Sequence, residues 1–311
     1  MRASTLTTDR PTLWSRNDLL MLSAVFIWGV NFTAVKYALR EFSPMAFNGL
    51  RFSLATVTMS LVLLWQAWAT REPGLLVLPR RDWLRVGLLG LLGNTLYQLL
   101  FINGMNFTTP ANSSLLMATA PIWVAVIGYL LRIERISRVI WGGILLSFAG
   151  MVVLILGGDG RLSLGTSTLP GDLMLLGCAI LWAVYTTISK PYLGRYSPLK
   201  LTTWTMITGT VPLALICLPA ILRQDWRAIS WIGWSALFFS VLLAVVVGYL
   251  VWYTSVQRVG NARTVIYSNL TPVFAIAFAW LTLGSTLAWT QALGAAIVLA
   301  GLILSRYGRV K

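Results

Sequence analysis

Residues 18–44 read DLLMLSAVFIWGVNFTAVKYALREFSP, an apolar run with Trp28 at its centre, Lys36 near its end and Ser43-Pro44 closing it. The run returns once, as DLMLLGCAILWAVYTTISKPYLGRYSP over residues 172–198. The two align without a gap. Asp18 falls on Asp172, Trp28 on Trp182, Lys36 on Lys190, and Ser43-Pro44 on Ser197-Pro198. The remainder of each half aligns after a short shift, with Trp83 on Trp234, Pro121 on Pro272, Gly143 on Gly294 and Gly150 on Gly301. The chain is therefore a duplication, and its function depends on how the two copies face each other.

Composition sets the medium. Of 311 residues, 57% are hydrophobic and only 11% charged, whereas a soluble domain carries about 25% charged residues. Repeated apolar runs of about 20 residues point to membrane-spanning helices. The net charge of +15 belongs to short loops between those runs and not to one face, which excludes a nucleic-acid partner in favour of membrane topology. There is no histidine, so His general bases, Ser-His-Asp triads and His zinc sites are excluded together. Cys178 and Cys217 lie inside apolar runs and read as packing residues. No metal or cofactor is implied. Residues 1–17 are too polar for a signal peptide.

The expected fold is an all-α membrane protein with ten transmembrane helices arranged as two inverted five-helix repeats. The spans are predicted at 18–38, 46–69, 83–105, 111–131, 139–157, 172–190, 199–220, 231–256, 263–283 and 286–305. A tail (1–17), a first repeat (18–157), a linker (158–171), a second repeat (172–305) and a tail (306–311) follow. With both termini in the cytoplasm, most Lys and Arg fall inside, against Lys36, Arg40, Arg161, Arg223 and Arg227 outside, as the positive-inside rule demands. Five helices per copy is an odd number, so the second copy runs upside down. Inverted repeats build secondary transporters, with the substrate site near the midplane where the copies meet.

At about 1.5 Å per residue, Trp28 and Trp182 lie about 15 Å deep, near the middle of a ~30 Å hydrocarbon core. Asn94, Tyr97 and Gln98 of the third span share that depth, as do Tyr249 and Trp252 of the eighth. So do Pro121 and Pro272, which remove an amide donor and disturb the helix at Met117 and Ser268. Trp28 and Asn31 share a helix face, as do Trp182 and Tyr185. These residues, with Tyr267 and Asn269, form the candidate substrate site, and Pro121 and Pro272 are the candidate hinges. A mixed amide and aromatic cavity suits an amphipathic small molecule. Arg51, about 10 Å deep, either attracts a substrate carboxylate or snorkels to the headgroups. Lys36 and Lys190 sit at helix ends, where they snorkel or gate. All acidic residues are placed in loops or at helix ends, which leaves no membrane carboxylate to carry a proton. Small-residue faces, Gly143-Ser147-Gly150 and Gly294-Gly301, predict that the fifth and tenth spans pair closely as a fixed frame; dimerisation is the rival use of such a face.

The chain resembles the drug/metabolite transporter superfamily in its ten-helix EamA-type branch. The resemblance rests on WGVNFTAVKYAL from Trp28 with Arg51 in the next span, on PANSSLLMATAPIWVAVIGYL followed by Glu134-Arg135-Ile136-Ser137 and WGGILLSFAG, and on VGNARTVIYSNLTPVFAIAFAWL. It runs from about residue 17 to 305 and implies a multi-pass protein of the cytoplasmic (inner) membrane. Many members export amino acids or related metabolites, aromatic ones included. Ser285 departs from the pattern, standing where the second repeat usually carries a counterpart of Glu134, which is read here as anchoring a cytoplasmic loop. The implied function is export or exchange of small amphipathic metabolites by a monomer or weak homodimer. The alternatives are an organic-anion or sugar-phosphate exchanger and, from other classes, an intramembrane enzyme or a scaffold.

Overall fold

A computed structural model of the chain describes residues 15–157, 166–283 and 288–309. It is built from helices: Arg16–Ala38 (α1), Pro44–Thr70 (α2), 80–107 (α3), 110–130 (α4), Arg138–Leu156 (α5), Leu169–Leu193 (α6), Pro198–Arg223 (α7), 231–259 (α8), 261–283 (α9) and Trp289–Arg306 (α10). Local chemistry explains the starts. Ser15 and Asp18 form a reciprocal capping box on α1, which satisfies amides left open at a helix N-terminus. Proline stands in the first turn of α2 and α7 behind Ser43 and Ser197, where its missing amide costs nothing.

The duplication is visible in the irregularities. α3 passes through a π-helical segment at Leu91–Leu96, and α8 through one at Ser240–Val247. α4 is interrupted at Ala118 and Thr119, just before Pro121, and α9 passes through a 3-10 segment at Ile266–Leu270, just before Pro272. Among the described residues, nine of these ten helices are each long and apolar enough to cross a membrane by length and composition; α9 is not among the nine.

Two contacts mark the pseudo-twofold axis. Thr56 and Thr210, equivalent in the two copies, hydrogen-bond each other through their hydroxyls at 2.8 Å. Residues related by a dyad can meet only on it. α5 and α10 make the most extensive helix contact. A Cβ added to Gly143 would lie 2.6 Å from the Gly301 carbonyl, and one added to Gly150 would lie 2.9 Å from that of Gly294. The two pairs are reciprocal under the repeat, so the small-residue face predicted for this frame is what lets the backbones close. α1 packs on α8 and α9, while α6 packs on α3 and α4. Each copy thus lends its first helix to the other.

Trp65, Trp68, Trp231 and Trp289 project outward near helix ends, a pattern of membrane-interface anchoring. The start of α1 and the end of α10 share one face, joined by Asp18 and Arg306 at 2.6 Å; we call it the N-face. Every ion pair among the described residues lies there: Asp18–Arg306, Glu134–Lys190 (3.1 Å), and Asp82 with Arg195 (3.1 Å) and Arg81 (4.0 Å). The described acidic residues do sit at helix ends or in loops, and three of them, Asp18, Asp82 and Glu134, are buried there against cations. Lys190 is held by Glu134, whereas its counterpart Lys36 is exposed. Glu134 also accepts from the amides of Asn261 (3.0 Å) and Ala262 (3.3 Å), fixing the start of α9. Ser285 and most of the linker lie outside the described residues.

Candidate functional site

Trp28 and Trp182 reach the centre from opposite directions and meet on α8. The Trp28 ring lies 5.4 Å from that of Trp252, and Trp182 lies 5.3 Å from the same ring. From Trp182 the cluster extends to Tyr97 (5.6 Å), Tyr249 (5.9 Å) and Tyr185 (6.0 Å). Tilted and edge-on pairs at such spacings are the favourable ones for aromatic rings. Six of the sequence-predicted residues are thereby one continuous surface drawn from both copies.

The π segment of α8 makes the Trp28 contact possible. Its altered hydrogen-bond register leaves the Ala244 carbonyl available, and the Trp28 Nε1–H donates to it at 2.8 Å. Gly248, one turn on, gives the indole room, since a Cβ there would lie 2.5 Å from Nε1. π segments recur at functional positions in helices. In α3 the equivalent of Gly248 is Tyr97, so Trp182 meets a ring where Trp28 meets backbone.

The polar wall surrounds this cluster. Asn94 is fully buried and donates to the Thr205 carbonyl at 3.1 Å and to the Tyr185 hydroxyl at 3.5 Å. Tyr185 in turn shares a 2.8 Å hydrogen bond with the Thr205 hydroxyl. Arg51 turns inward, not to the headgroups, and is 9% exposed. It donates to Asn48 (2.9 Å), Gln98 (3.4 Å) and Ser240 (3.4 Å) and lies over the Phe52 ring at 5.0 Å. Several buried atoms here have no protein partner: Asn31 Oδ1, Asn94 Oδ1, Arg51 Nε and Trp252 Nε1. Buried polar atoms are nearly always paired, so this centre has hydrogen-bonding capacity that the fold does not use.

Other predicted residues lie elsewhere. The Tyr267 hydroxyl donates to Asp18 at the N-face, and Asn269 donates to Ser147 of the α5–α10 frame at 3.0 Å. Pro121 is buried and Pro272 half-buried at their helix breaks, where Thr119 and Ser268 hydroxyls donate back to the Leu116 and Val265 carbonyls, each at 2.6 Å. Lys36 stands exposed at the far end of α1. Tyr253, Asn48 and Ser240 were not singled out from the sequence. Tyr253 stacks edge-on with Tyr185 at 5.6 Å. Its position one turn beyond Tyr249 was a usable signal.

Comparison with known proteins agrees with this architecture. The model of the EamA-like transporter family matches twice, over residues 15–156 and 169–307. An uncharacterized transporter of Archaeoglobus fulgidus is 29% identical, the match covering 94% of this chain and 97% of that protein. The uncharacterized transporter YyaM of Bacillus subtilis is 25% identical, with 92% of each chain covered. A probable amino-acid metabolite efflux pump of Salmonella typhimurium is 27% identical over 94% of this chain and 96% of its own. One solved crystal structure shares the fold, with a TM-score of 0.75 at 20% identity over 93% of this chain and 95% of that one. Two copies of the family pattern, set head to tail around one aromatic centre, make this chain a multi-pass membrane protein of the EamA-like transporter family, within the drug/metabolite transporter superfamily.

Proposed function

We propose that the chain exports or exchanges amino acids and related amphipathic metabolites by alternating access across the cytoplasmic membrane. The observation that carries this reading is the central aromatic cluster, Trp28–Trp252–Trp182 with Tyr97 and Tyr249, ringed by the unpaired Asn31 and Asn94 oxygens. Rings take the apolar body of a solute, and amide oxygens accept from its ammonium group. The Salmonella relative described as a probable amino-acid metabolite efflux pump favours the same substrate class.

The N-face is the cytoplasmic one in this reading, because the basic loops cluster there. Pro121 and Pro272 are its hinges: the helix pieces on either side of each break tilt as one face closes and the other opens. The two repeats, inverted about the Thr56–Thr210 axis, supply two such arrangements of nearly equal energy. The test is counterflow in proteoliposomes loaded with each of a panel of labelled amino acids. Exchange of at least one, lowered by Trp182→Ala and by Tyr97→Ala, is the expected result. No exchange of any amino acid overturns it. A cysteine placed in the segment 158–168 and labelled only from the cytoplasm would overturn the orientation.

A further inference from the structure

We infer that Arg51 is the carboxylate subsite of the central site, so that the substrate is a monocarboxylate held by its acid group at Arg51 and by its apolar body on the tryptophan cluster. This rests on the transport reading above and adds the chemical class of the solute.

The inference starts from what Arg51 lacks. At the N-face, Arg306, Lys190 and Arg195 each face a carboxylate within 3.1 Å, and the buried Lys200 donates to the Gly74 carbonyl at that face's loop edge. Arg51 is more deeply buried than the three ion-paired cations and lies within a span and not at its end, yet among the described residues no acidic side chain lies within ion-pair distance of it. Its acceptors are an amide oxygen on its own helix, an amide oxygen on α3 and a hydroxyl on α8, and its Nε has none. Neutral acceptors offset part of the cost of burying a guanidinium, but an uncompensated buried charge remains expensive. A bound anion would remove that cost, and the planar fork of arginine matches a carboxylate in two parallel hydrogen bonds.

Position connects Arg51 to the rest of the site. Gln98, which it contacts, follows Tyr97 in α3, and Phe52 beside it faces Tyr249 at 6.5 Å. One side chain therefore separates the guanidinium from the aromatic cluster on two sides. The repeat supplies a contrast. The residue equivalent to Arg51 in the second copy is Thr205, which is neutral and already engaged with Tyr185. The site has one anion-binding end, not two, which orients a monocarboxylate and disfavours a symmetrical diacid.

The experiment measures the unfolding temperature of the purified protein in detergent with leucine, phenylalanine, 3-phenylpropanoate and phenylalaninamide, beside the counterflow assay. Phenylalanine and 3-phenylpropanoate should raise it, and phenylalaninamide should bind about tenfold or more weakly, because the subsite then lacks its acid partner. Arg51→Gln should abolish the preference for acid over amide, and Arg51→Lys should keep part of it. If Arg51→Gln does not fold, the wild-type acid-to-amide contrast and the Arg51→Lys protein carry the decision. A shift with 3-phenylpropanoate but no amino-acid counterflow leaves the subsite standing and removes the amino-acid reading. Counterflow of amino acids and their amides at equal rates, an acid preference that survives Arg51→Gln, or no shift with any acid overturns the subsite.

Discussion

Asp18 and Asp172 begin equivalent helices, one in each copy, and keep unlike company. Asp18 receives the Tyr267 hydroxyl and the Arg306 guanidinium, which reach it from α9 and α10 of the other copy. Asp172 receives the Thr108 hydroxyl at 2.5 Å, from the turn between α3 and α4, and the Asn112 amide at 3.0 Å, from the first turn of α4. The same asymmetry holds for the loops. Arg195 grips Asp82 at the N-face, while its equivalent Glu41 accepts from the Ser230 amide and hydroxyl at 2.8 and 2.7 Å on the opposite face. Among the described residues, one face is therefore fastened by ion pairs and the other by hydrogen bonds to neutral groups. Inverted repeats give both faces the same latch positions, and the side chains at those positions decide which face is held more firmly.

Five substitutions separate frame, latch and centre. The largest effect is expected from Gly301→Leu, because a Cβ there already lies 2.5 Å from the Ser147 amide. Forcing α5 and α10 apart should cost about 3 kcal/mol or more, read as loss of the monodisperse protein in size-exclusion chromatography. Asp18→Asn comes next. It takes the Asp18 charge away from Arg306 at a partly exposed site, at a cost of about 2 kcal/mol. It should also increase modification, from the N-face, of a cysteine introduced at Tyr267. If labelling is unchanged, the ion pair is not the latch.

Trp28→Phe and Trp182→Phe test the two tryptophans against each other. The first strands the Ala244 carbonyl and should lower stability by about 1–2 kcal/mol. The second removes ring area without breaking a hydrogen bond to the described residues, so it should cost about 1 kcal/mol or less. Equal losses in chemical unfolding would sink the distinction drawn here between a backbone-anchored and a ring-anchored indole. Asp172→Asn should have the smallest effect, about 0.5–1 kcal/mol, since a carboxamide oxygen still accepts from Thr108 and Asn112. A loss as large as that of Asp18→Asn would show the two faces to be equally fastened.

Much of the central site was readable from position alone. Trp28, Trp182, Tyr97, Tyr249 and Trp252 could be assigned one depth because helix rise is constant, and they do touch. Tyr267 and Asn269 were assigned by the same logic, but the 3-10 segment at Ile266–Leu270 changes both rise and direction, and they meet Asp18 and Ser147 instead. The π segments were not foreseeable from hydrophobic periodicity, because one extra residue per turn leaves the run equally apolar. Without them the Trp28 bond to Ala244 has no acceptor.

The amino-acid sequence by itself determined the medium, the duplication and the inversion. Apolar run length, charge placement and an odd helix count are properties of the chain that no packing can alter. Only the tertiary structure decided which polar groups are matched. Asp18, Asp82 and Glu134 find cations because helix ends from different copies converge at one face, and Arg51 finds none because the groups that converge on it are neutral. Pairing of that kind depends on side-chain direction across helix interfaces, which neither spacing nor depth along one helix contains.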